Sequence, residues 1–304
     1  MEKVQVLIVG AGMGGVSAAI WCKRLGLHAV LLERESHIGG QLKQIQNEIW
    51  DFPPYTFANG MELLTELEKN SRTATLDIRL QETVINVDVD NHVVTTDKRA
   101  YQTDFLIIAT GIKPNTLPVL ENSALVLPPW FSTTSQGEYL QGKKVLIIGG
   151  GDRAVESGYN LSAFASHVWL AVRGSQLRAR PEWALRLQNC SNVTILYQTQ
   201  LVRTEENTSP TGVWLVTGDQ KEPCFMEIDC ILPRIGSIGN NDLHFLRCDL
   251  DGFLRVDENQ LTNVDWIYGI GDVTNGSAFA SLALAAGQAM KAAKHISLRL
   301  KEIT

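Results

Sequence analysis

The sequence is poor in the residues that build several kinds of active site. It has five cysteines, Cys22, Cys190, Cys224, Cys230 and Cys248, and no two stand as Cys-x-x-Cys. Scattered positions and an odd count fit a reducing compartment and give no zinc-ligand spacing. Buried or inert thiols in a reducing cytoplasm are the plain reading. The six histidines sit singly, so no metal site is expected. Gly-x-Ser-x-Gly is absent, which removes the nucleophile elbow of a hydrolase. No stretch reaches the roughly 18 apolar residues of a membrane span. The apolar run 278–293 is rich in small residues, is broken by Gly287, Gln288 and Lys291, and reads as a buried helix. Glu2 and Lys3 lead straight into a strand, so no leader peptide is expected. Positive charge is not in excess either. A net charge of −6 argues against nucleic acid or an anionic membrane as partner. There is no low-complexity tract and no solenoid period.

Glycine is where the sequence speaks. Gly10-Ala11-Gly12-Met13-Gly14-Gly15 follows the apolar run 4–9, and Gly149-Gly150-Gly151-Asp152-Arg153-Ala154 follows the run 145–148. One G-x-G-x-x-G is a weak signal. Each copy here stands between a buried-type strand and a helical segment, which is the setting in which such a turn grips a dinucleotide. Gly10 makes the tight turn, Gly12 lets the backbone approach a pyrophosphate, and Gly15 lets the helix close on the strand. The helix amino end then offers free N–H groups and a positive dipole end. Glu33 ends the next strand, 29–32, about 20 residues on, where a carboxylate accepts from a ribose diol. Two such pockets in one chain suit the passage of electrons between two cofactors.

The rest of the chain falls around these turns. Residues 36–60 lack periodicity and carry Gly39-Gly40, Pro53-Pro54 and Gly60, so they read as loop. A short amphipathic helix is expected over 61–69, short strands over 76–94, and a buried strand over 104–109. The prolines of 113–118 mark a crossing into a second unit with its own strand (144–148), helix (154–164) and strand (168–172). Residues 236–241 read as the return crossing. The remainder has a strand near 266–268 and a long terminal helix, and is too small to hold a core alone.

Three further motifs join the first turn: Gly39-Gly40-Gln41-Leu42, Ala109-Thr110-Gly111 and Gly271-Asp272. Together they resemble the FAD domain of the low-molecular-weight thioredoxin reductases, and the likeness runs over essentially the whole chain. The resemblance implies an α/β fold of two Rossmann-like dinucleotide-binding domains. An FAD domain is expected from 1–116 and 238–304, with an NAD(P)-type domain, 117–237, inserted between. It implies that Gly40 and Gln41 lie along the flavin and that Asp272 binds ribityl hydroxyls. The last helix should point its amino end at the flavin's C2 carbonyl. Asp51, in Ile49-Trp50-Asp51-Phe52-Pro53, falls where the family commonly has Asn beside the isoalloxazine. Arg34, Val84, Gly14, Ala109, Thr110, Gly111 and Gly271 are also carried over as cofactor-binding positions. The arginine–glutamine–alanine run that opens the last helix in the family is missing; Ala280-Ser281-Leu282, or the run one residue earlier, stands there.

The second pocket keeps its phosphate turn in Gly149, Gly151, Asp152 and Ala154, with Arg153 inside it. Where NADPH-using members carry His-Arg-Arg and a further Arg, this chain has Val172-Arg173-Gly174 and then Arg178. Gly174 replaces the arginine of the 2′-phosphate, and no acid ends the strand 168–172 to clamp an NADH ribose. Arg173, Arg178 and Arg180 are either a solvated basic loop or a phosphate clamp. Trp183 is either packing or a stacking surface. The expectation is a ligand other than NADPH, with a second FAD as candidate. The family's redox pair, Cys-Ala-Thr-Cys, aligns on Ser132-Thr133-Thr134-Ser135, so both catalytic cysteine positions are serine. Serine cannot form a disulfide. Whether these serines are natural or substituted stays open at this point.

Three functions follow from the resemblance: a thioredoxin-reductase-type FAD enzyme whose own disulfide exchange is lost, a disulfide-independent electron-transfer enzyme like the related ferredoxin–NADP reductases, or a non-catalytic flavin-binding redox sensor. A homodimer and a thioredoxin-like or other small redox protein are the partners expected, in the cytoplasm.

Overall fold

The computed structural model describes residues 1–206, 209–220, 222–276 and 278–303. In chain order the first elements are β1 (Glu2–Val9), α1 (Met13–Arg24), β2 (Ala29–Leu32), α2 (Gly60–Thr73), β3 (Asp77–Arg79), β4 (Val84–Asp88), β5 (Val93–Thr96), β6 (Ala100–Ile108) and β7 (Ile112–Pro114). There follow β8 (Lys144–Ile148), α3 (Asp152–Leu161), β9 (His167–Ala171), α4 (Pro181–Gln188), β10 (Val193–Leu196), β11 (Thr199–Glu205), β12 (Gly212–Thr217), β13 (Cys224–Glu227) and β14 (Cys230–Pro233). The chain ends with β15 (Ser237–Gly239), β16 (Ile267–Gly269), α5 (Asp272–Asn275) and α6 (Leu282–Ile303). Two compact units result: Met1–Lys113 with Ser237–Thr304, and Pro114–Gly236.

The first unit is built on a sheet of order β3-β2-β1-β6-β5-β4, with β16 also paired to β6. β1, β2, β3, β6 and β16 run parallel. Buried on both faces, β1 needs apolar residues in succession rather than in alternation, and Val6, Leu7 and Ile8 are fully enclosed. The antiparallel hairpin β4–β5 completes the edge. α1 and α6 pack together through small residues, Ala18 and Ala19 on one helix and Ala289, Ala292 and Ala293 on the other, all within one core. α2 is fixed at its start by Asn59, whose Oδ1 accepts from the N–H groups of Met61 and Glu62.

The second unit has a parallel sheet of order β10-β9-β8-β14 and an antiparallel one of β11-β12-β13. β8 is flanked by β9 on one side and β14 on the other, so the strand order reverses at β8/β14. In open parallel sheets a ligand crevice forms beyond the carboxyl ends of the strands at such a reversal.

Several expectations change. The run 278–293 is not a helix buried throughout: α6 starts only at Leu282, runs to Ile303, and leaves Leu284, Lys291 and Lys294 exposed. The apolar count hid this because alanine serves either face. The loop 36–60 contains a 3-10 turn, Gly40–Gln44, and α5 lies where only a motif was read. The thiol of Cys224 is exposed on β13, whereas Cys22 and Cys230 are buried and burial pushes their thiols up to about 12 and about 11. Among the described residues no helix is long and apolar enough to cross a membrane, and no group of His, Cys, Asp and Glu is placed to hold a metal ion.

Candidate functional site

The first glycine turn shows why its residues are what they are. Gly10 has φ +100°, and a Cβ there would run into the carbonyl of Ala109. A Cβ on Gly15 would overlap the Gly10 carbonyl oxygen, so α1 closes on β1 only without one. Gly12 is different: a Cβ there would meet nothing of the protein within 4 Å. Its openness leaves room for a ligand against the backbone. Gly39 N donates to Ala11 O at 2.8 Å, and a Cβ on Gly40 would lie 3.2 Å from the Gly12 Cα. The Gly39–Gly40 turn therefore backs directly onto the first one.

Glu33 is buried at the end of β2. Its Oε2 accepts from Ala11 N at 2.7 Å and its Oε1 from Glu35 N at 3.0 Å. Each oxygen keeps a second lone pair for an incoming hydroxyl. Ala109, Thr110 and Gly111 follow β6 beside Gly10, and Thr110 is tied to Asn240 through Oγ1–O (2.6 Å) and O–Nδ2 (3.1 Å). Gly271 N donates to Gln288 Oε1 at 2.8 Å, and Gln288 Nε2 reaches Asn275 Oδ1 at 2.7 Å. Asp272 Oδ1 and Asn275 Nδ2 are buried and have no hydrogen-bond partner. Burial raises the Asp272 carboxyl above its ordinary range, with the nearby Ser281 backbone and Asn275 side chain opposing the rise. Orphaned buried polar atoms call for a partner, and a ligand bearing hydroxyls supplies one. Arg34 is exposed and paired with Glu35, Asp51 is exposed, and Val84 is half-buried on β4; none of these three joins the hydrogen-bonded cluster.

The second turn repeats the first. Gly149 has φ +138°, and a Cβ there would run into the Arg234 carbonyl; Gly151 is open as Gly12 is; Ala154 is buried behind it. The basic loop after β9 is fastened to this turn, with Arg178 N donating to Gly150 O at 2.7 Å. Arg180 binds the Asp152 carboxylate through its N–H (2.7 Å) and Nε (3.1 Å). Asp152 is thus engaged within the protein, while Arg153, Arg173 and Arg178 stay exposed. A Cβ at Gly174 would make only an ordinary contact, 3.7 Å from Gln176 O. Trp183 packs edge-on to Tyr159 at 6.1 Å and lies under Arg186 at 5.0 Å, which favours packing over stacking for it.

Residues 132–135 form a closed turn. Ser132 Oγ accepts from Ser135 N at 3.2 Å, and Ser132 N donates to Gln136 Oε1 at 3.0 Å. Asn160 on α3 donates to the hydroxyls of Thr133 and Thr134. Ser132 is half-buried and Ser135 exposed. Sequence reasoning missed Gln288, Asn160 and above all Arg234. The last had a signal: one charge inside the apolar stretch 230–235.

Residues 4–289 match the pyridine nucleotide-disulphide oxidoreductase family. The chain belongs to that family. It is a family of FAD-dependent oxidoreductases. A thioredoxin reductase of Borreliella burgdorferi is 28% identical over 279 residues, covering 89% of this chain and 84% of the relative. A ferredoxin–NADP reductase of Lactobacillus johnsonii is 28% identical over 307 residues, 97% of this chain and 95% of the relative. The crystal structure of Lactococcus lactis thioredoxin reductase superposes with a TM-score of 0.82 at 24% identity, over 99% of this chain and all of that one. The expected α/β architecture of two Rossmann-like domains is the one found.

Proposed function

We propose that this member of the family holds FAD on its first glycine turn and moves electrons without an internal dithiol, its second turn taking another FAD in place of NADPH. Bound there, FAD supplies a ring that accepts and returns electrons. The chain's own residues do the holding. The Gly10–Gly15 turn and α1 take the pyrophosphate, Glu33 takes the adenosine ribose, and Asp272 accepts from the ribityl chain. Two observations carry the first site: the buried, partnerless Asp272 Oδ1 and the open face of Gly12. The second site is supported by an intact phosphate turn followed by Gly174 and by no acid at the end of β9. Serine at 132 and 135 removes thiol exchange from this chain. A homodimer in the cytoplasm, served by a small redox protein, belongs to the same reading.

The deciding measurement is a chromatographic count of nucleotides released from denatured protein. Two FAD per chain and negligible NADPH oxidation are expected. One FAD per chain with rapid NADPH turnover overturns the reading of the second site. A second reading, electron exchange of the ferredoxin–NADP reductase kind, draws on the Lactobacillus johnsonii relative and the absence of Cys-x-x-Cys. NADPH-driven reduction of a ferredoxin would select it.

A further inference from the structure

Arg234 follows β14 and belongs to none of the motifs above. Its residue is only 9% exposed. The guanidinium makes four hydrogen bonds, all to neutral oxygens: Nε to Ser157 Oγ (3.1 Å), Nη1 to Pro129 O (3.0 Å) and Pro233 O (3.4 Å), and Nη2 to Phe131 O (2.6 Å). Burial and the nearby Arg153 lower its pKa to about 10, with Glu156 opposing, so it is fully charged at neutral pH. A buried cation fed only by neutral acceptors loses hydration without the return of an ion pair. Two of the four, those to the Pro129 and Phe131 carbonyls, go to one short segment.

That segment is the approach to the serine turn. The carbonyls of Pro129 and Phe131 flank Trp130, and the Phe131 carbonyl belongs to the peptide whose nitrogen is Ser132 N. From the other side, Asn160 fastens Thr133 and Thr134 to α3. Residues 128–136 carry no charged side chain. Of the charges on α3, Asp152 is paired with Arg180, while Arg153 and Glu156 act on the guanidinium. The guanidinium is therefore bonded to the peptide next to position 132.

We propose that Arg234 is a positioning residue for the serine turn: its planar fork fixes Pro129–Phe131 and so the turn 132–135, and its charge makes position 132 favourable to an anionic group. From the proposed function this takes only the equivalence of 132 and 135 with the redox-pair positions. It does not depend on which nucleotide fills the second site. A lysine keeps the charge but cannot bridge several carbonyls, so the two halves of the proposal separate.

Hydrogen exchange of amides 130–136 is compared in the parent, Arg234→Lys and Arg234→Met. In a Ser132→Cys background, the pH dependence of iodoacetamide alkylation is followed on the peptide carrying residue 132, which keeps Cys224 out of the signal. Both variants should exchange about tenfold faster over 130–136, as loss of one or two hydrogen bonds requires. The alkylation midpoint should hold in Arg234→Lys and rise by about one pH unit in Arg234→Met, because a nearby cation favours thiolate. Unchanged exchange in both variants, or an unmoved midpoint in Arg234→Met, overturns the proposal. So does an equal loss of protection in β8, which marks Arg234 as a general stabiliser. FAD content is read separately, so failure here leaves the nucleotide assignment standing.

Discussion

At Asp272 one carboxylate oxygen is buried without a partner, and burial holds the group above the usual carboxylate range. An acid raised in the folded state binds its proton more tightly folded than unfolded. Its ionisation therefore counts against the fold, and stability falls as pH rises from the ordinary carboxylate range through the raised value. Nucleotide-free Asp272→Asn should withstand more urea than the parent at pH 7, and the gap should narrow as the pH is lowered towards 4. The same change removes an acceptor and a charge from the cofactor's side, so FAD affinity should drop about tenfold. Urea midpoints at two pH values and a flavin titration check both. A variant no more stable than the parent at pH 7 would mean that the orphaned oxygen costs the free protein nothing.

Among the elements, the two glycine turns are separable. Gly15→Ala puts a methyl into the Gly10 carbonyl, and overpacking of this kind costs about 1–3 kcal/mol. It should abolish flavin retention on the first turn. Gly149→Ala adds a methyl at φ +138° against the Arg234 carbonyl and should empty only the second. Nucleotide counts on the two variants check this, and equal losses would show that the sites do not fill independently. These turns were legible in the sequence because a glycine forced by a clash can be nothing else. β2 was legible to its last residue because a short apolar strand between a helix and an acid has one reading. The ends of α6 were not, since alanine packs inside or outside without changing the pattern. Arg234 was visible as an odd charge but not as a fork, because three of its four acceptors lie 77 to 105 residues earlier in the chain.

For the whole molecule, the serine turn decides what chemistry remains. The turn is closed on itself: the Oγ of its first residue lies 3.2 Å from the backbone nitrogen of its last. Serine supplies no redox couple, so the parent should fail to reduce a disulfide substrate with any electron donor. Ser132→Cys with Ser135→Cys should form an internal disulfide under mild oxidant, detected as a mass loss of about two hydrogens and protection from alkylation. If electrons then reach the turn from a donor other than NADPH, disulfide substrates should be reduced by the double variant and by neither single one. Failure of the double variant to close its disulfide would mean that the chain has lost the geometry of the redox pair along with its sulfurs. A double variant that works with NADPH alone would place a competent pyridine nucleotide in the second site and refute the reading of Gly174.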